Sequence, residues 1–192
     1  MHFPKSMFLM MMMLLPALSA EELAVNVDPA KTRISFILTD VLHSVHGTFQ
    51  LKRGFVSFDP ATRAATGDIV VDAGSGKSGN SIRDRRMSRD ILQAHDYPEI
   101  GFTPKQVIGS VSPTGLSSVS VSGLFAIHGQ SHEITVPVQI QISAGSIRAT
   151  GRFAVPYVQW GMKNPSNFLF KVNDKVEIDF TAFGHIVGTH NP

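Results

Sequence analysis

Residues 115–143 read GLSSVSVSGLFAIHGQSHEITVPVQIQIS, and the alternation within this stretch decides the fold class. In its first half, apolar residues at positions 119, 121, 125 and 127 share one parity, and serines fill the positions between the valines. In its second half, positions 134, 136, 138, 140 and 142 are apolar and most of the residues between them are polar. A period of two places alternate side chains on opposite faces of a strand. Two such runs across a short turn predict a β-hairpin, with the turn at residues 129–131.

Weaker versions of the same alternation predict further strands along the chain. These strands cover residues 25–28, 34–38, 49–52, 68–73, 100–102, 146–153 and 175–182, and a bulge is expected at Arg53-Gly54. A chain built of hairpins forms a barrel or a sandwich. Closure removes the exposed edges of a long antiparallel sheet, so we predict a mainly β, antiparallel barrel of about eight strands.

One segment departs from the period of two. Residues 81–94 carry many charges, and Met87, Ile91 and Leu92 form a narrow apolar stripe, which predicts one helix of three to four turns. Asn80 is a suitable N-cap and Tyr97-Pro98 ends the segment. Because this helix lies between strands in the sequence, it is expected over one mouth of the barrel.

The first twenty residues have the organisation of a signal peptide. Lys5 precedes an apolar run from Met7 to Leu15, and small residues up to Ala20 follow it. The run is too short to span a membrane. We therefore expect Sec-type cleavage near Ala20, a periplasmic or secreted location, and one domain over residues 21–192 without a transmembrane segment. The chain has no Cys, so disulfides and a lipid-modified cysteine are excluded.

The composition argues against several functional classes. Without Lys5, the 17 basic residues become 16 against 15 acidic ones, which gives no basic footprint for nucleic acid. No catalytic motif and no metal-ligand spacing occurs, so neither an enzyme nor a metal or other cofactor is predicted. The alternative among enzymes is a hydrolase-like protein that uses the interior pocket of the barrel, with His128 or His132 as a base.

The order and spacing of several short motifs resemble those of the YceI family. These motifs are Asp28-Pro29, His46-Gly47-Thr48-Phe49, Phe58-Asp59-Pro60, Gly79-Asn80, Arg83-Asp84, Tyr97 to Phe102, Gly123 to Gly129, Val136-Pro137-Val138 and Asn173 to Ile178. The resemblance implies an extended lipocalin-like barrel. It also implies a non-enzymatic, exported carrier whose barrel holds an amphiphile with a long isoprenoid chain, such as a quinone or a prenyl phosphate.

The aromatic composition fits an apolar interior, because 13 Phe stand against two Tyr and one Trp. From the strand alternation and the apolar stripe of the helix we expect the ligand cavity to be lined by Phe36, Leu38, Phe49, Leu51, Met87, Ile91, Leu92, Phe102, Phe125, Ile127, Val138, Ile140, Phe153 and Phe180. The alternative is an interaction module without ligand, in which the same Phe residues fill a solid core.

The densest charge cluster lies on the predicted helix. Arg83 and Arg86 are candidate contacts for an anionic headgroup, since guanidinium groups bind phosphate well. The alternative is a solvated helix face with local ion pairs, such as Arg86 with Asp90. The sequence leaves the oligomeric state open, a homodimer included.

Overall fold

The computed structural model describes residues 22–39, 44–166 and 171–187. The predicted signal peptide, residues 1–20, lies outside the described residues. Nine strands account for most of the described chain, and their bounds are β1 Leu23–Val27, β2 Arg33–Thr39, β3 Ser44–Phe58, β4 Ala65–Lys77, β5 Glu99–Ile108, β6 Gly115–Ile127, β7 Gln130–Ser143, β8 Ser146–Val155 and β9 Val176–Val187.

The strands form one closed antiparallel barrel. Their order is β1-β3-β2-β9-β8-β7-β6-β5-β4, and β4 pairs with β3 to complete the circle. β1 and β2 lie end to end, because each pairs with a different part of β3 and of β9. The nine strands therefore occupy eight positions, which confirms the predicted barrel of about eight strands.

The hairpin at residues 115–143 has the predicted pairing but a tighter turn. Val119 lies opposite Val138, and Phe125 lies opposite His132. The turn consists of His128 and Gly129, with φ of +51° and +73°, rather than residues 129–131. Positive φ at both central positions is the geometry that matches the twist of the flanking strands.

Several strands are longer than the alternation indicates. β4 extends from Ala65 to Lys77 instead of 68–73, and β9 reaches Val187 instead of residue 182. Glycines at 67, 74, 76 and 184 interrupt the apolar alternation in these extensions, although backbone pairing continues through or around most of them. A register shift between Leu51 and Arg53 lies beside the bulge expected at Arg53-Gly54.

The predicted helix is shorter than three turns. An α-helix, α1, covers Ser81–Arg86, and a π-helical turn follows over Met87–Ile91. The Asn80 side chain accepts hydrogen bonds from the backbone N–H groups of Ile82 (3.0 Å) and Arg83 (3.1 Å), as expected of an N-cap. We refer to residues 81–92 as the capping segment. It packs against β4 at one end of the barrel, which we call the helix end.

Two buried apolar clusters lie inside the barrel. One gathers around Leu92, Phe125 and Tyr157 at the helix end. The other includes Phe58, Ala65 and Val107 and lies toward the opposite, far end. Within the ranges described, no helix has the length and hydropathy required to cross a membrane.

Candidate ligand-binding cavity

A cavity of about 780 Å³ runs along the inside of the barrel. Its walls are inward side chains of the strands, from Phe58 and Val107 at the far end to Leu38 and Phe49 at the helix end. Volumes of 300–1,000 Å³ are usual for sites that enclose small organic ligands. The barrel is thus hollow.

The cavity wall includes every residue that the sequence pattern proposed for it. These are Phe36, Leu38, Phe49, Leu51, Met87, Ile91, Leu92, Phe102, Phe125, Ile127, Val138, Ile140, Phe153 and Phe180. Phe102, Ile140, Phe153 and Phe180 point inward yet remain only half-buried. Inward side chains of a solid core would be fully buried, so their exposure is toward the cavity. Whether they contact a ligand remains a prediction.

The structure adds wall residues that the sequence analysis did not name. Val136 and Ile178 share the parity of named neighbours and could have been found in that way. Val71 lies on β4, where no lining residue was predicted. Tyr157 and Met162 also line the cavity, but they lie on the loop between β8 and β9. No periodicity marks a loop residue as inward, so only the folded chain identifies them.

Glycines on the inner wall make room for phenylalanine rings. The Phe36 ring covers Gly47 on the paired strand, and a Cβ at that glycine would overlap the ring. The Phe180 ring covers Gly151 in the same way, within 2.7 Å of where a Cβ would be. These rings lie along the wall, which leaves the middle of the barrel free.

The capping segment closes part of the helix end. Met87 reaches over Gly76 of β4, and Leu92 is buried in the apolar cluster beneath. Met87, Ile91 and Leu92 all line the cavity, so the apolar stripe faces the barrel interior. The segment therefore supplies the apolar roof that its sequence pattern predicts.

A polar cluster fixes the start of the capping segment. Buried Asp84 accepts hydrogen bonds from Ser78, from its N–H at 2.8 Å and from its hydroxyl at 2.5 Å. Arg83 Nε donates to the Ser78 Oγ (2.7 Å) and Arg83 Nη2 to the Ser78 carbonyl (2.7 Å). The hydrogen bond from the Ser78 hydroxyl lowers the pKa of Asp84, so this carboxylate stays ionised and holds the segment to β4.

Both candidate headgroup residues lie on the cavity rim, with different environments. Arg83 and Arg86 line the cavity at the helix end, close to Ser78 and Asn80. Arg83 is engaged by Ser78, whereas Arg86 forms no salt bridge with any residue of the described ranges. The rim thus carries one guanidinium that is held in place by Ser78 and one without a salt bridge among the described residues.

The ion pair of Arg86 with Asp90, which illustrated the alternative of a solvated helix face, is replaced by another local pair. Arg89 Nε and Nη2 donate to the two Asp90 carboxylate oxygens at 2.7 and 3.0 Å. This hydrogen bonding lowers the pKa of Asp90 and raises that of Arg89. The π turn begins at Met87 and alters the i, i+4 spacing on which the expected pair depended.

The loop between β8 and β9 covers another part of the helix end. The Trp160 ring stacks on His132, with centroids 3.9 Å apart, and lies 5.9 Å from the Phe125 ring. The Tyr157 hydroxyl donates to the Asn173 carbonyl at 2.6 Å, and burial raises the pKa of Tyr157 to about 12. Aromatic contacts and one buried hydrogen bond therefore hold the loop against the barrel.

The two histidines considered as bases lie outside the cavity wall of the described chain. His128 Nε2 donates to Gln93 Oε1 at 2.9 Å, and its ring packs on Tyr97. His132 is stacked under Trp160, and its Nε2 is buried without a hydrogen-bond partner among the described residues. Neither ring contacts the cavity, so the geometry adds nothing in favour of a base there. Across the same ranges, no group of three or more His, Cys, Asp or Glu is arranged to hold a metal ion.

Comparison with known proteins gives a family and several similar folds. A family model, the YceI-like domain, matches residues 26–183. BcnA of Burkholderia cenocepacia has 21% identity and a TM-score of 0.67, over 82% of this chain and 98% of that one. A polyisoprenoid-binding domain from Saccharophagus degradans, implicated in plant cell wall breakdown, has 18% identity and a TM-score of 0.66, over 86% of this chain and 99% of that domain.

A third solved structure is more distant. The YceI protein of Campylobacter jejuni has 16% identity and a TM-score of 0.56, over 78% of this chain and 88% of that one. At these identities the solved structures support the fold alone. A comparison with curated proteins finds no significant match.

Proposed function

Because this chain belongs to the YceI family, we propose that it is a carrier that encloses the apolar tail of an amphiphile with a long isoprenoid chain. The ligand class is of the quinone or prenyl phosphate type. Binding and release occur without a chemical step. The signal-peptide pattern of residues 1–20 supports a location of the mature chain in the periplasm or outside the cell.

The observation that carries this proposal is the hollow, apolar interior of about 780 Å³. An isoprenoid tail contains only hydrocarbon, and each methylene-sized group taken from water contributes roughly 0.8 kcal/mol. Ordering a flexible chain offsets part of this gain. The name of the similar polyisoprenoid-binding domain from Saccharophagus degradans supports the same class of ligand.

The distribution of charge supports an amphiphile rather than a simple hydrocarbon. Arg83 and Arg86 line the cavity at the helix end, where Ser78 and Asn80 add polar groups. The clusters deeper in the barrel are apolar. A tail can therefore lie inside while a polar or anionic head stays at the rim, near the guanidinium groups.

The test is to purify the mature chain, extract it with organic solvent, and identify bound lipid by mass spectrometry. Ile140→Trp should reduce the bound lipid per protein by about tenfold, the effect of 1.4 kcal/mol in binding. Ile140 faces the cavity from β7, and the larger indole ring would occupy ligand space.

The matched control is Gln139→Trp, which places the same ring on the outer face of the same strand. Gln139 is exposed, so this variant should retain its lipid. Circular dichroism verifies that both variants fold. The proposal fails if folded wild-type protein neither co-purifies with a prenyl lipid nor takes one up after delipidation. It also fails if the two tryptophan variants bind equal amounts of lipid per protein.

A further inference from the structure

We propose that the helix end of the barrel docks on an anionic lipid bilayer through the capping segment. Ile82 would enter the headgroup region, and the neighbouring arginines would contact lipid phosphates. This inference rests on the proposed function and deepens it, because the docked rim is the one through which a lipid would pass between bilayer and cavity.

The first observation is an apolar side chain left in solvent at the rim. Ile82 is 70% exposed, more than any other large apolar residue among those described. It lies in the first turn of α1 and also borders the cavity. An exposed isoleucine beside a lipid cavity is well placed to insert at a membrane surface.

The second observation is the concentration of positive charge around this residue. Residues 77–91 hold five cations and two carboxylates, a net charge of +3, whereas the whole chain carries +2. Both carboxylates are engaged, Asp84 by Ser78 and Asp90 by Arg89. Arg85 is exposed and has no salt bridge within the described ranges. The segment therefore presents a positive field beside Ile82.

The loop between β8 and β9 carries a further cation at the helix end. Lys163 lies close enough to Asp90 to contribute to lowering the pKa of that carboxylate. Met162, the residue before it, lines the cavity. Positive charge thus comes from two separate segments that meet at the helix end.

The far end of the barrel offers a useful contrast. Ile108 and Leu116 are also exposed, at 49% and 62%. No charged residue occurs between positions 107 and 122, and the neighbouring turn, residues 59–64, carries one cation and one carboxylate, so no net positive charge gathers there. Apolar exposure and positive charge coincide at the helix end, and this coincidence points to an anionic bilayer as the partner.

The experiment is sedimentation of the mature chain with vesicles of phosphatidylcholine alone or with one quarter phosphatidylglycerol. Each basic side chain near an anionic surface strengthens binding by roughly fivefold. The wild type should bind the anionic vesicles at least about tenfold more tightly, and 0.5 M NaCl should remove most of this preference. Arg85→Glu with Arg89→Glu should lose at least about tenfold in affinity, since two exposed cations are reversed.

The matched control is Lys31→Glu with Arg63→Glu, which changes net charge equally in exposed turns away from the capping segment. Its vesicle binding should stay close to that of the wild type. The inference is overturned if the wild type shows no preference for anionic vesicles, or if the two double variants lose equal affinity. The salt titration of the wild type decides the question even if a variant is unstable.

A separate readout distinguishes this inference from the proposed function. Uptake of a fluorescent apolar probe without vesicles should be the same in the wild type and the Arg85/Arg89 variant, because neither arginine lines the cavity. Loss of vesicle binding with intact probe uptake supports docking. Absence of probe uptake in every protein, with intact vesicle binding, contradicts the carrier function and leaves docking standing.

Discussion

Tyr157 shows at the residue scale how one polar group holds a loop against a hollow barrel. Its side chain is only 5% exposed, and its hydroxyl donates to the carbonyl of Asn173, just before β9. Burial raises its pKa from 10.0 to about 12, because the ionised form would lose its contact with water.

This shift predicts an alkaline weakness of the fold. The pKa of Tyr157 is higher in the folded chain than in the unfolded chain. Its neutral hydroxyl therefore contributes fully to folding stability below pH 10, and this contribution is lost as the pH rises from 10 to about 12. In Tyr157→Phe this contribution to the pH dependence disappears. At neutral pH the free energy of unfolding of the variant should be lower by about 1 kcal/mol, since one hydrogen bond is removed.

Thermal unfolding of both proteins between pH 8 and pH 12, followed by circular dichroism, measures this difference. The gap between the two unfolding midpoints should narrow above pH 10. A gap that stays constant up to pH 12 would show that Tyr157 ionises equally well in the folded chain.

At the scale of the element, the capping segment depends on a glycine of the strand below it. A Cβ at Gly76 would overlap Met87 Cε and lie 2.9 Å from Phe49 Cε1. Both are side-chain atoms, so the segment can shift without moving the strand backbone. Gly76 is therefore the position at which packing of the capping segment against β4 can be adjusted.

Gly76→Ala should give a folded protein with weaker ligand loading. Met87 and Phe49 both line the cavity, and the new methyl group pushes them into ligand space. We expect a loss of a few-fold in affinity for an apolar fluorescent probe, in line with about 1 kcal/mol of overpacking. Titration of delipidated protein with the probe measures this.

Gly101→Ala is the matched control. Gly101 also borders the cavity, but its nearest contact for an added Cβ is Ala126 at 3.7 Å, an ordinary packing distance. Equal affinities for the probe in the Gly76 and Gly101 variants would mean that the position of Met87 does not control loading.

For the whole molecule, a hollow interior makes stability depend on what fills it. Phe102, Phe153 and Phe180 line the cavity and are only half-buried by the protein itself. A bound tail supplies the apolar contacts that these rings lack. Ligand that binds only the folded state shifts the folding equilibrium by mass action.

Delipidation should therefore lower the unfolding midpoint. A ligand present at about 100 times its Kd stabilises the folded state by about 2.7 kcal/mol. In a chain of this size that corresponds to a drop of roughly 5–10 °C on its removal. Differential scanning calorimetry before and after lipid extraction, and again after reloading, measures the drop and its reversal.

The Ile140→Trp variant serves as the control for this measurement, since its cavity is expected to hold little lipid. Extraction should change its midpoint much less than that of the wild type. Identical midpoints for loaded and extracted wild-type protein would mean that the barrel gains no stability from an occupant.

Much of the fold could be predicted because its signals are local. The alternation at residues 115–143 determines which side chains face inward, and the structure places Val119, Phe125 and Val138 on that face. Asn80 marks the start of α1 through its own side-chain chemistry. The eleven strand residues predicted to line the cavity follow from the same parity, the three helix residues follow from the apolar stripe, and all fourteen border the cavity.

Other features were missed because they depend on more than local pattern. The helix was predicted to continue to Ala94, but the π turn at Met87 changes its periodicity where Met87 packs over Gly76. The strand extensions in β4 and β9 contain glycines that carry no hydropathy signal. Their pairing is decided by the neighbouring strand.

The sequence by itself determined the inward face of each main hairpin, the cap of the helix and the apolar character of the interior, since these depend on residues close together in the chain. Only the tertiary structure decided that β1 and β2 share one position, that both pair with β9, and that the Phe rings lie over Gly47 and Gly151. The pairings with β9 join residues distant in sequence. The space left inside depends on how the rings lie after closure, which local periodicity does not encode.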